Sequence, residues 1–154
     1  MLSGTKAGFV LLASALAAMV CGPFWGRFTD TVGLRTAGLV GSIAAMVAAV
    51  AVAFTDSALA LGVVWAITGA FVALVVIVIQ GLGATIVPDN RGGALSFLLA
   101  FRFIGHAVGP LLWLPVFDVS VRWSFIGAGL LGTITVAAFV WATTSSPQST
   151  AATP

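Results

Sequence analysis

Glutamate and tyrosine are absent from this 154-residue sequence, and cysteine and histidine occur once each, as Cys21 and His106. A single thiol excludes an intramolecular disulfide and any Cys-x-x-Cys metal site, and a single imidazole leaves metal catalysis without a ligand set. With no paired acids and no nucleophile beside a base, no active site can be assembled, so neither enzymatic activity nor a cofactor is expected. Charge is equally scarce, at 6 % of residues against about 25 % in an ordinary soluble domain. Six basic and four acidic side chains cannot furnish the surface that keeps a chain of this length in water. The basic residues are scattered at 6, 27, 35, 91, 102 and 122. Phosphate recognition needs them clustered on one face, so the net charge of +2 is no nucleic-acid signature and no nucleic-acid partner is expected. Without tyrosine, interfacial aromatics must come from the five tryptophans and some of the phenylalanines.

What the sequence has in abundance is apolar length. Sixty per cent of it is hydrophobic and the mean hydropathy is +1.19, which places the chain in the lipid bilayer. Breaking it at charged, proline and asparagine positions leaves five apolar segments, at 6–25, 36–55, 58–86, 93–116 and 123–143. Each is near the roughly 20 residues a helix needs to cross about 30 Å of hydrocarbon. Transmembrane strands alternate apolar with polar over about ten residues and these runs do not, so the expected fold class is all-α, a polytopic transmembrane helical bundle over residues 1–143. Lys6 followed by an apolar run has the outline of a signal peptide, but no polar domain follows, and a first span is the better reading. The segment 58–86 is long enough to tilt or to project beyond the hydrocarbon before Pro88. The stretch 144–154, rich in Ser, Thr, Pro and Ala, is expected to be a disordered C-terminal tail. Alternating spans put Arg27, Arg35 and Arg91 on one side and Lys6 and Arg122 on the other. That faint positive-inside bias assigns the 26–35 connection to the cytoplasm.

Helices in lipid associate through close van der Waals contact rather than hydrophobic drive. Gly38, Gly41, Gly105, Gly109, Gly127, Gly129 and Gly132 suit such contacts, as does the run from Gln80 to Thr85 with its two glycines. Residues 127–132 formally spell G-x-G-x-x-G, but no strand precedes them and no acid follows, so helix packing is the better reading. Arg102 and His106 are ionisable groups well inside a span and, at i and i+4, share a helix face. Ionisable groups are costly in hydrocarbon, which makes both candidates for a transport or proton pathway, with a structural role for each as the alternative. Gly105, Gly109 and Pro110 form a candidate helix kink, since proline removes one helix hydrogen bond. Between the first two spans, Gly26, Asp30, Gly33 and Arg35 read as a short loop whose glycines permit a tight reversal and whose charges can bridge helix ends.

That loop resembles the signature of the major facilitator superfamily, approximately G-x-L-A-D-R-x-G-R-R in a cytoplasmic loop. Gly26, Asp30, Gly33 and Arg35 match, while Phe28, Thr29, Thr31 and Leu34 depart from it and remove two positive charges. Residues 87–94, followed by 101–110 with Arg102, Gly105, His106, Gly109 and Pro110, are similar to the loop before the eleventh helix and to that helix in drug-efflux-type members.

By this resemblance the five spans correspond to helices eight to twelve, a partial fold of the C-terminal half. The resemblance implies a secondary transporter working by alternating access, in which two bundles rock about a midplane site. In that scheme the Asp30 loop steadies one conformational state, and Arg102 or His106 lines or supports the cavity. A cavity between two bundles cannot be built from five helices, so transport is expected to need an N-terminal half or a second copy. Two readings stand. One is a partial permease of the plasma membrane moving small solutes, in the export direction for a drug-efflux type. The other is a non-transporting small membrane protein or regulatory fragment acting by helix packing. An upstream reading frame with further spans would favour the first.

Overall fold

The computed structural model describes residues 4–145. Four α-helices make up nearly all of it: α1 (Gly4–Val52), α2 (Ala58–Ile86), α3 (Arg91–Val119) and α4 (Val121–Ser145), with a single 3-10 turn at Pro88–Asn90 between α2 and α3. All four are long and apolar enough to cross a membrane, and no strand occurs among the described residues. The fold is an all-α bundle. Ser57 opens α2, accepting a hydrogen bond from the Ala60 amide at 3.1 Å. Asn90 does the same for α3 from Gly93 at 3.0 Å. Each cap satisfies one of the amides that a helix start leaves without a partner.

The five expected segments occupy four helices because α1 contains two of them. Its only non-helical residue is Gly33, at φ 82° and ψ 157°. Where the sequence suggested a loop over 26–35, the backbone leaves the helical state at one residue and resumes at once. Contact register shows what that residue does. In the first arm, residues 4–32, Val10 faces Gly62 and Ser14 packs on Gly69, so the arm runs parallel to α2. In the second arm, residues 34–52, Leu34 faces Gly81 and Gly41 faces Leu74, so this arm runs antiparallel to α2. The chain has doubled back at Gly33, in a region of backbone space that only glycine occupies without strain.

The second arm also packs antiparallel to α4, with Gly38 against Phe139, Met46 against Gly132 and Val50 against Gly129. Ala37, Leu74 and Val78 form the buried centre, surrounded by Trp25, Phe28, Leu34, Phe71, Leu82 and Phe139. Small residues set these interfaces. A Cβ on Gly41 would lie 3.1 Å from Leu74, and one on Gly127 would lie 3.3 Å from Trp113. Gly81 and Gly83 receive Leu34 and Leu98 in the same way, and close approach is what holds helices together in lipid. Gly105 and Gly109 depart from the expectation. No atom lies within 4 Å of a Cβ built on either, because α3 contributes no buried residue and turns this part of its surface away from the other helices.

α3 runs unbroken through Gly105, Gly109, Pro110 and Pro115. α4 extends through Ser145, so the first two residues of the expected tail are helical; the remainder, 146–154, lies outside the described residues. The Gly33 reversal sits at the end of α2 that leads into Pro88–Asn90, as the contact of Leu34 with Gly81 requires. At the opposite end Arg122 Nε donates to the carbonyl of Ala53 at 3.2 Å, with its guanidinium 5.2 Å from the Phe54 ring centre.

Candidate functional site

The candidate residues fall in two places, the reversal at Gly33 and a groove reached by Arg102. At the reversal the four motif residues sit close in the chain but do not pair. Asp30, Gly33 and Arg35 are exposed and Gly26 is half-buried. Among the described residues no acid and base come within ion-pair distance. Neighbouring side chains hold the reversal in place. Thr29 is buried and its hydroxyl donates to the Trp25 carbonyl at 2.8 Å, while Thr31 donates to the Phe28 carbonyl at 2.8 Å. Both bonds tie hydroxyls back onto the helix and leave no polar group stranded.

Trp25 links this end of the first arm to α2. Its indole N–H donates to the carbonyl of Ala70 at 2.8 Å. Its ring lies 5.3 Å from Phe71 and 5.8 Å from Phe28, the latter edge-on. The motif thus has an aromatic foundation that spacing of Gly, Asp and Arg does not reveal. The available signal was a tryptophan with a donor that must be satisfied wherever the ring is enclosed.

Arg102 lies about 17 Å along α3 from Arg91 at 1.5 Å per residue. It lines a groove of about 510 Å³ between the first arm of α1, α2 and α3, a volume within the range of small-molecule sites. The other walls include Leu11, Ser14, Met19, Trp65 and Val76. Arg102 is the one charged residue of the lining, and Ser14 and Trp65 are among its few polar groups. Ser14 is placed there by Gly69, whose missing side chain lets the two helices meet at the serine hydroxyl. Neither Ser14 nor Gly69 stood out in the sequence, since a serine or glycine within a span is common and only the facing helix gives it a role.

His106 does not join Arg102 in the lining. Its Nδ1 lies 2.8 Å from the carbonyl oxygen of Arg102. A carbonyl only accepts, so Nδ1 carries the proton and the ring is tied to the preceding turn. The shared face expected from the i, i+4 spacing is real in the helix, but the two side chains do different things on it. Pro110, four residues beyond His106, has no N–H to offer the His106 carbonyl. That weakens the helix ladder one turn beyond the arginine.

The family model of the Major Facilitator Superfamily matches residues 1–154. None of the curated proteins matches the chain.

Proposed function

The chain belongs to the major facilitator superfamily, a family of membrane transporters, and from that premise we propose that it is one bundle of a two-bundle secondary transporter whose solute path is the Arg102 groove. The observation that carries this reading is the groove itself: an open, mainly apolar groove at mid-span, with the hydroxyl of Ser14, the indole of Trp65 and one guanidinium, that of Arg102, on its walls. Charged groups in hydrocarbon are expensive and persist where they face a pathway or a partner. In this family two bundles rock about a site near the bilayer midplane. An open groove on one bundle suits a surface completed by another, supplied by an N-terminal half or by a second copy. The Gly33 reversal, with Asp30 and Arg35 exposed on it, is then the cytoplasmic contact that steadies one state of the rocking motion. The similarity of residues 87–110 to the eleventh helix of drug-efflux-type members supports export of small solutes from the cell across the plasma membrane.

The test is transport in cells stripped of their own exporters and expressing the chain together with the reading frames that flank it. Retention of a panel of labelled solutes is compared with cells carrying Arg102→Gln. A solute whose accumulation changes at least tenfold with the chain, and returns to background with Arg102→Gln, supports the reading. If no solute shows an Arg102-dependent change in either direction, the transporter assignment of this groove fails.

A further inference from the structure

We propose that the Arg102 groove binds an amphipathic organic monoanion, a carboxylate or sulfonate carried on a compact apolar body. The inference deepens the transporter reading and rests on it for the claim that the bound anion also moves. Its own basis is the placement of charge. The four acids of the chain are Asp30, Asp56, Asp89 and Asp118. Asp30 is beside the Gly33 reversal, Asp56 lies between α1 and α2, Asp89 is in the 3-10 turn and Asp118 is in the last turn of α3. Each therefore stands at a reversal, a connection or a helix end. Arg102 is in mid-span, and no carboxylate lines its groove.

A guanidinium is protonated at any physiological pH and cannot discharge itself by losing a proton, as a lysine could. Exposed in the middle of a membrane-length helix, with no acid in its groove, that charge calls for an anion from outside the described bundle. The geometry of a planar fork favours an oxyanion with two oxygens, which it holds by two parallel hydrogen bonds. The rest of the lining sets the body of that ligand. Leu11, Met19 and Val76 offer apolar contact, and Trp65 offers an aromatic surface. Ser14 adds one hydroxyl that can donate to an anionic oxygen. A doubly charged or strongly hydrated anion would find one cation and little else to replace its water, so a single charge on an apolar frame is the matched chemistry.

The experiment uses the full chain in phosphatidylcholine nanodiscs, with radiolabelled 2-naphthoate as the probe and empty discs as the blank. Competitors of the same shape are unlabelled 2-naphthoate, neutral 2-naphthylmethanol and the cation 2-naphthylmethylammonium. The expected result is saturable binding displaced at least tenfold more effectively by the anion than by the alcohol or the cation. Arg102→Gln should weaken naphthoate at least tenfold, and Arg102→Lys should fall between, since it keeps the charge but not the fork. Equal displacement by the cation, naphthoate binding unchanged in Arg102→Gln, or no saturable binding above empty discs would each overturn the proposal. Should Arg102→Gln not assemble, the discrimination among the three competitors on the unaltered chain decides.

Flux of the same three compounds into liposomes that carry the chain together with the products of its flanking reading frames separates this idea from the transporter reading. Anion-selective binding without flux keeps the ligand class and removes transport. Arg102-dependent movement of the cation does the reverse.

Discussion

Replacing Gly33 with alanine tests the reversal on which the whole helix arrangement depends. At φ 82° and ψ 157° the residue occupies backbone space that is essentially restricted to glycine, and an L side chain there costs about 1–3 kcal/mol. No atom lies within 4 Å of a Cβ built at Gly33, so the cost is that of the backbone alone, with no collision to confuse it. Gly26 provides the opposite case. It too has nothing within 4 Å of a Cβ, but it lies within the helical part of α1, where alanine is favoured over glycine by about 0.5–1 kcal/mol. Gly33→Ala should therefore destabilise and Gly26→Ala should stabilise, with the pair separated by about 1.5–4 kcal/mol, roughly 12- to 700-fold in the unfolding equilibrium. Reversible unfolding by sodium dodecyl sulfate from mixed micelles, followed by tryptophan fluorescence, reads the difference directly. Equal midpoints for Gly33→Ala and the unaltered chain would refute the positive-φ reversal. A loss in Gly26→Ala matching that of Gly33→Ala would show that glycine size, and not backbone conformation, matters at this end of the bundle.

Two further outcomes follow from packing. Trp25→Phe keeps an aromatic ring against Phe71 but removes the indole donor to Ala70, and should lower stability in the same titration by about 0.5–1.5 kcal/mol; no change would mean that the hydrogen bond contributes nothing to holding the first arm on α2. Gly38→Ala would drive a methyl into the Phe139 ring and should cost about 1–3 kcal/mol. Adding Phe139→Leu should recover part of that loss, and strict additivity of the two changes in a double-mutant cycle would show that they do not share this contact.

Much of the membrane architecture was legible along the chain because its cause is local. Twenty apolar residues without alternation read as a helix in lipid whatever stands beside them. The reversal was half legible: its glycine was in view, but a loop of about ten residues was expected where a single one suffices. A sequence shows that a backbone position can take positive φ, and it does not show how sharply the next helix must return. Glycine packing divides in the same way. Gly38, Gly41, Gly127, Gly129 and Gly132 meet neighbours, Gly105 and Gly109 face open space, and Gly69 meets Ser14 without having attracted notice. The residue type permits close approach, and only the position of a second helix decides whether one occurs.

Composition and hydropathy by themselves determined that this chain lives in a bilayer as helices and that its ionisable groups are few enough to be singled out, while the resemblance of its motif residues to a known signature pointed to a transporter family. The tertiary structure decided which of those residues have company. It brought Arg102 to a groove with Ser14 and Trp65, turned His106 back onto its own helix and set Trp25 beneath the reversal. The physical reason is the range of each effect. Hydropathy and helix periodicity act within one segment, whereas a groove, a buried donor and an interhelical contact exist only once a separate segment has supplied the other wall.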